Sequence, residues 1–302
     1  MSVNKAASIR ARLKTVADKE RRPFDFILML YFIERLLYRL SISRYQDAFV
    51  LKGGLLLYSI LNEKARPTKD VDLLARALPS DMERLKQIFI EIASIHADDA
   101  VAFDIDSISV ERIKEDADYE GVRIKLIVRM QNIRTSLQFD IGFGDIVVPK
   151  PQMMEYPTLL DMERPLIKAY SMESVIAEKF ETMLFLAEAN SRMKDFYDIY
   201  NLSENFPFDG PVLYEAILQT LRRRGTVLSE APVAFTEAFA ENKDKQIQWQ
   251  AFKRRTQIKQ ELEFAETVGS IKRFLLPIYE CVLHEDPFIG QWSLATRQWS
   301  YP

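Results

Sequence analysis

Asp70-Val71-Asp72-Leu73-Leu74 sets two carboxylates one residue apart inside an apolar run. Alternate residues of a strand point to one side. A strand here turns Asp70 and Asp72 to the same face and gives Val71 and Leu73 to the core. Neighbouring carboxylates repel each other, and a folded chain keeps such a pair most readily around a cation. Hard oxygen donors of this kind suit Mg²⁺ or Mn²⁺ holding a nucleoside triphosphate. The plain alternative is an exposed strand end, since short acidic doublets are common.

A third carboxylate strengthens the metal reading. Between residues 133 and 141, Ile133, Thr135, Leu137, Phe139 and Ile141 alternate with Arg134, Ser136, Gln138 and Asp140. The period of two predicts a strand with Asp140 on its non-core face. If the two strands are neighbours, three carboxylates converge, a set suited to one or two metal ions clamping an in-line displacement. Upstream, Ala48-Phe49-Val50-Leu51 reads as a short buried strand, and Lys52-Gly53-Gly54 opens an apolar helix over Leu55–Leu61. Glycines at such a turn let backbone approach a ligand, and the new helix offers N–H groups to a phosphate. The Gly-Lys-Ser/Thr ending of a P-loop is absent.

Taken together, Gly53-Gly54, Arg66-Pro67-Thr68-Lys69-Asp70-Val71-Asp72-Leu73-Leu74 and Phe139-Asp140-Ile141-Gly142-Phe143-Gly144-Asp145 resemble the AbiEii/AbiGii toxin group of the nucleotidyltransferase superfamily. Ala177-Glu178-Lys179-Phe180 and Asn190-Ser191-Arg192-Met193-Lys194-Asp195-Phe196-Tyr197-Asp198 extend the resemblance, in the same order, to about residue 240. Two departures are a longer gap between Gly54 and Asp70 and Gly54 where many relatives carry serine.

The later motifs also read from the residues. Met172, Val175, Ile176, Phe180 and Met183 fall at helical spacing, and Lys179 takes a neighbouring stripe position. A lysine there snorkels outward or meets an anion; the resemblance implies contact with phosphates. Glu178 lies outside the stripe. In the next helix Phe196, Ile199 and Tyr200 mark the buried side, which Asp195 borders better than Asp198. The resemblance implies a functional aspartate, assigned to Asp195 with Asp198 in reserve. Arg192 and Lys194 either neutralise charge or are solvated, the latter reading suiting Lys194 better. The candidate catalytic residues are Asp70, Asp72, Asp140, Lys179 and Asp195, with Asp70, Asp72 and Asp140 holding metal. Lys52, Gly53, Gly54, Thr68, Lys179 and Arg192 are the candidate nucleotide contacts.

Composition constrains the setting. The 302 residues carry 48% hydrophobic and 28% charged side chains, as a globular protein with an ample core does. The single Cys281 excludes an intrachain disulfide and suits a reducing cytoplasm. The apolar stretch 24–41 is broken by Asp25, Glu34, Arg35 and Arg39, so no membrane span is expected. The N-terminus lacks a signal peptide's apolar core. A net charge of −3 argues against broad nucleic-acid binding. It leaves room for local basic clusters at Arg10, Arg12, Lys14, Lys19, Arg21 and Arg22, at Arg123, Lys125 and Arg129, or at Lys253, Arg254 and Arg255. Arg222-Arg223-Arg224 before Gly225 reads most simply as a helix C-terminus with its glycine cap. His96 and His284 have no metal-ligand partners at useful spacing.

The expected fold is α+β, a mixed α/β arrangement with a small nucleotidyltransferase-like sheet flanked by helices and a helical C-terminal lobe. Residues 1–44 read as two helices packing on the core. Residues 45–150 form the catalytic core, with strands at 48–51, 70–75, 107–114, 121–130 and 133–141 and a helix after the capping box Ser80-x-x-Glu83. Residues 151–302 form the lobe completing the nucleotide cleft, helical from 165 to about 284, with a Trp-rich tail. The resemblance implies a cytoplasmic Mg²⁺- or Mn²⁺-dependent nucleotidyltransferase, the toxin of a toxin–antitoxin or phage-defence pair. It would transfer NMP from an NTP to an acceptor hydroxyl, foremost RNA such as a tRNA 3′ end, and be controlled by an antitoxin encoded beside it. Rival readings are nucleotidylation of a small molecule or protein, and a non-catalytic partner-binding domain.

Overall fold

Residues 3–116 and 119–301 are described by the computed structural model, and they fall into two compact units. The first runs to residue 60 and adds 68–144 and 152–169; the second holds 61–67, 145–151 and the chain from 170 on.

Two helices open the first unit. In α1 (Val3–Glu20), Ala6, Ile9, Leu13 and Ala17 are buried at helical spacing, and charged residues cover the other side. The helix α2 (Phe24–Ser41) differs: fourteen of its eighteen residues are buried, so its few charges must be answered internally. Arg39 donates to both oxygens of Asp99 at 2.6 and 3.1 Å. Arg35 pairs with Glu34 at 2.7 Å, and the Leu159 amide donates to Glu34 at 2.8 Å.

The alternating segments then build a sheet. In chain order come β1 (Phe49–Lys52), α3 (Gly53–Leu61), β2 (Val71–Ala75), α4 (Met82–Ala93), β3 (Ala102–Asp116), β4 (Tyr119–Met130) and β5 (Ile133–Phe143). Two short strands follow, β6 (Gln152–Glu155) and β7 (Leu166–Ala169). The seven strands lie in the order β3-β4-β5-β2-β1-β7-β6. The pairs β2–β5 and β1–β7 are parallel and the others antiparallel, so the sheet is mixed as expected. Its core face is lined by Val71, Leu73, Val122, Ile124, Leu126, Val128, Leu137, Phe139 and Ile141, all buried. Against it α4 lays Leu85, Ile88, Phe89 and Ile92. The Phe89 ring bridges Phe49 and Phe139, with centroids 5.9 and 5.5 Å away in edge-on geometry. Each such ring pair contributes about 0.5–1.5 kcal/mol beyond its buried area.

Two local expectations need correction. The cap of α4 is Asp81, which accepts from the Arg84 amide at 2.7 Å, in place of Ser80. Both residues are good caps, and the helix starts one residue later than the Ser-x-x-Glu pattern implies. Helical structure begins at Met172, because Leu166–Ala169 pairs in parallel with β1. Four residues are too few to show a period against the long helix that follows. The Trp-rich tail, which reads as an ordered tail or a partner contact, carries two short strands.

In the second unit α5 (Met172–Leu186) is capped by Ser171 and packs against α7 (Gly210–Arg224), with α6 (Met193–Asn205) between them in sequence. The glycine after Arg222-Arg223-Arg224 ends α7 as expected: Gly225 has φ +62° and its amide bonds back to Arg222 and Leu221. The short α8 (Glu237–Ala240), α9 (Lys243–Thr256) and the long α10 (Phe264–His284) complete the helices. Phe180, Phe235, Tyr279, Phe196, Phe264 and the fully buried Trp249 form the aromatic centre. A three-stranded sheet joins β8 (Phe208–Asp209), β9 (Gln291–Ser293) and β10 (Gln298–Ser300). Trp292 and Trp299 flank Phe274 and donate their indole N–H groups to the Ser203 and Phe274 carbonyls, each at 2.8 Å.

Candidate active site

On the sheet face opposite α4, register aligns a row of charges. Lys52 on β1 lies opposite Asp72 on β2, and Asp72 opposite Asp140 on β5. Asp140 in turn lies opposite Arg123 on β4, and Arg123 opposite Glu111 on β3. Side chains of register partners share a face, so Asp72 and Asp140 stand side by side on parallel strands about 4.8 Å apart. The convergence of these two carboxylates, expected only if their strands were neighbours, is present.

The glycine turn closes one flank of this row. Gly53 has φ +68°, a conformation that side-chain-bearing residues rarely adopt. A Cβ there would meet the Asp72 carboxyl carbon at 2.7 Å and its Cβ at 2.9 Å. Hydrogen at that position is what admits the carboxylate. Gly54 follows as the second residue of α3, at the N-terminus of the helix. Lys52 is buried at the end of β1. Thr68 is also buried, with its hydroxyl 3.5 Å from the Asp70 carbonyl oxygen. Asp70 precedes β2, is exposed, and lies near enough for its charge to act on Arg123.

Arg123 dominates the other flank. Its Nε and Nη2 donate to the two Asp140 oxygens, both at 2.8 Å, and Gln138 Nε2 adds bonds at 3.3 Å to each. The hydrogen bond to Asp140 raises the guanidinium pKa above its ordinary value, and the charges of Asp140, Glu111 and Asp70 reinforce it against burial. Lys125 likewise pairs with Glu111 at 2.7 Å, and Arg129 with Asp104 at 3.2 Å. The three strand cations grouped in the sequence as a basic cluster are thus each paired to a carboxylate.

Carboxylate oxygens on one face suit a hard divalent ion, and Asp70 and Asp72 fit that use. Asp140 is of the right chemistry, but both its oxygens are engaged by Arg123. Among the described residues no three carboxylate, imidazole or thiol groups are placed to hold a metal.

The second unit gathers the remaining candidates. Lys179 on α5 reaches Asp195 at 2.6 Å and Asp198 at 2.8 Å, both on α6 and both buried. Arg192 pairs with Asp195 at 2.8 Å, and Arg66 donates to both Asp198 oxygens, with Nη2 at 3.1 Å. Lys179, Arg192 and Arg66 thus all engage the two aspartates of α6. Burial alone would raise the Asp195 pKa, but Lys179, Arg192 and Lys194 outweigh it and hold the carboxyl well below its ordinary range. Burial alone would lower the Lys179 pKa; Asp195 and Asp198 overcome it and raise the ammonium's. Both aspartates of the motif hold Lys179, whereas the sequence ranked one above the other. Glu178, beside Lys179, accepts from the Tyr170 hydroxyl at 3.0 Å. Arg66 was given no role by the sequence, although it opens the motif that ends in the acidic doublet.

Moving a nucleotidyl group requires anionic phosphates to be held and oriented beside the acceptor. A mixed sheet with a glycine turn and adjoining aspartates is the frame of a nucleotidyltransferase, the class to which this protein belongs. The description "nucleotidyl transferase AbiEii toxin, type IV TA system" matches residues 35–270. The chain belongs to the AbiEii nucleotidyltransferase toxin family. That membership implies an NTP substrate and an antitoxin partner. Among solved structures, it is similar to a proposed nucleotidyltransferase from H. pylori, at 13% identity over 87% of this chain and 99% of that one, with a TM-score of 0.50. It is also similar to JHP933 from Helicobacter pylori, at 14% identity over 86% and 94% of the two chains, with a TM-score of 0.49. At such identity the likeness to the first concerns the fold. No curated protein matches the chain. Among the described residues no helix is long and apolar enough to cross a membrane.

Proposed function

We propose that this nucleotidyltransferase is metal-dependent and transfers NMP from an NTP to a hydroxyl of RNA, foremost the 3′ end of a tRNA, as the toxin of a toxin–antitoxin pair serving phage defence in the cytoplasm. The observation that carries the metal-dependent chemistry is the register pair Asp72–Asp140 on adjacent parallel strands. Carboxylates on one face supply the hard oxygen donors that a divalent ion can share.

Asp70, Asp72 and Asp140 would hold Mg²⁺ or Mn²⁺. Such an ion neutralises phosphate charge and lowers the pKa of an attacking hydroxyl. Gly53 and Gly54 leave the α3 N-terminus open to the phosphates. Lys52 and Thr68 flank them as polar contacts. The acceptor oxygen forms its bond to the α-phosphorus while the bond to the β-phosphate oxygen breaks. Asp140 would help lower the pKa of that hydroxyl, its proton would leave to solvent, and pyrophosphate departs with the electron pair. Lys179, held by Asp195 and Asp198, would steady charge on the leaving pyrophosphate, as the family resemblance implies. An RNA acceptor is supported by the family's toxin character, since modified RNA arrests growth.

The test is incubation with each labelled NTP, Mg²⁺, purified tRNA, total protein and metabolites, followed by mass analysis. Added nucleotide on tRNA is the expected result. Label confined to protein or to a small molecule overturns the RNA acceptor, and no transfer from any NTP overturns the catalytic reading.

A further inference from the structure

In the charged row, Asp72 and Asp140 are adjacent and of like sign, with Lys52 beyond one and Arg123 beyond the other. A divalent ion shared by both carboxylates needs lone pairs on Asp140, yet each of its oxygens accepts a 2.8 Å bond from the Arg123 fork. Such two-point guanidinium–carboxylate pairs are among the stronger and more directional polar contacts. The carboxylate is 11% exposed while the guanidinium side chain is 30% exposed. The fork therefore lies on the outer side of a sheltered carboxylate. On its far side Arg123 has Glu111, its register partner on β3, whose charge already favours the guanidinium. The side chain thus has a second anion across the ladder, one it would share with Lys125, when it leaves Asp140.

We propose that Arg123 is a resident counter-ion that competes with the divalent cation for Asp140, so that metal is bound through all three aspartates only when the guanidinium is displaced toward β3. This rests on the metal-dependent reading of the row. Arg123 tunes the site's affinity without touching the reacting phosphates, which makes it a positioning residue.

The test is Mn²⁺ binding to the full chain without nucleotide, followed by the electron paramagnetic resonance of free Mn²⁺. Arg123→Gln keeps an amide donor at Asp140 and removes the charge. It is expected to bind Mn²⁺ about tenfold more tightly than the wild type, a ratio in keeping with the loss of one competing unit charge at a part-buried site. Asp140→Asn in that background should abolish the gain. Arg123→Lys, less disruptive and limited to point contact, should bind about two- to threefold more tightly than the wild type. Unchanged or weaker Mn²⁺ binding in a folded Arg123→Gln or Arg123→Lys protein overturns the proposal. Asp72→Asn separates the two layers. Mn²⁺ binding that depends on Asp72 but ignores Arg123 defeats this inference alone, and binding that ignores Asp72 defeats the metal site and the inference together.

Discussion

At Gly53 two requirements meet in one residue: a left-handed backbone and space for the Asp72 carboxylate where a Cβ would stand. Gly53→Ala should accordingly destabilise the protein by more than about 1 kcal/mol, from the backbone conformation alone. It should also displace Asp72, so transfer should fall further than stability does. An unchanged thermal melt together with an unchanged rate would show that the turn tolerates a side chain. Asp72→Asn acts in the opposite sense on stability. It removes a charge that faces Asp140 in register, so the melting temperature should stay equal or rise slightly. Nucleotidyl transfer, and with it growth inhibition, should drop by about a hundredfold or more. Undiminished toxicity in that variant would defeat the enzymatic account. Lys179 makes a third case. Breaking a buried pair usually costs about 3–5 kcal/mol because a charge is left alone. Here Arg66 and Arg192 stay on the two carboxylates after Lys179→Met. The loss measured by denaturant unfolding should therefore be nearer 1.5–2.5 kcal/mol, by the same reckoning at about half weight. A much larger loss would mean that Lys179 is a structural keystone and that its kinetic effects cannot be read separately.

Among the elements, α2 carries the chain's clearest proton-linked device. Burial, followed in weight by the opposing pull of Arg35 and the Leu159 amide, pushes the Glu34 carboxyl up to about 7. A carboxyl whose folded pKa exceeds its unfolded value binds its proton more tightly in the native state. Stability from this group is therefore present below about 4.5 and declines as pH rises toward 7. Glu34→Gln imitates the protonated form. Its stability relative to wild type should improve between pH 5 and 8 by roughly 2–3 kcal/mol, from the size of that shift. Paired urea melts at the two pH values measure this, and a constant difference would show that Glu34 does not titrate in the range. The burial of α2 itself was legible, since an apolar run broken by only four charges has no side to offer water. The strands bearing Asp72 and Asp140 were legible too, the first from a carboxylate doublet inside a short apolar run and the second from its alternation over 133–141. Their adjacency was not, because a parallel pairing across intervening elements leaves no local register signal. The Arg123–Asp140 pair is different. Met130 and Ile133 flank a two-residue turn, with Gln131 at φ +51°, and pairing outward from that turn sets Arg123 against Asp140. The information lay in the hairpin and could have been counted. The strands β6 to β10 could not be read, since two to four residues carry no period. Lys179 and its two aspartates lie on separate helices, so only the family resemblance connected them.

For the whole molecule, charge decides how an RNA acceptor can be held. The 41 basic residues are outnumbered by 44 acidic ones, and Arg123, Lys125 and Arg129 are committed to Asp140, Glu111 and Asp104. The sheet face therefore presents no open basic groove from those strands. Exposed cations persist along α1, at Arg10, Arg12, Lys14 and Lys19, but Asp18 and Glu20 accompany them. Each phosphate neutralised on a single strand steepens the salt dependence of binding by about 0.7 in log–log slope. With the β4 cations paired and acidic residues interspersed among those of α1, the slope for tRNA should be shallower than about −3, and affinity should fall less than about a hundredfold between 50 and 200 mM salt. Filter binding of labelled tRNA across that range measures it. A steeper slope would reveal a basic docking surface, and its partial loss in a variant with Arg10, Arg12 and Lys14 all changed to Gln would place that surface on α1. A shallow slope combined with efficient transfer has a different meaning. The acceptor would then be engaged by its end, through the reacting hydroxyl and the nucleotide beside it, rather than gripped along its backbone. Discrimination among acceptors would in that case reside in the few side chains around the row from Lys52 to Glu111.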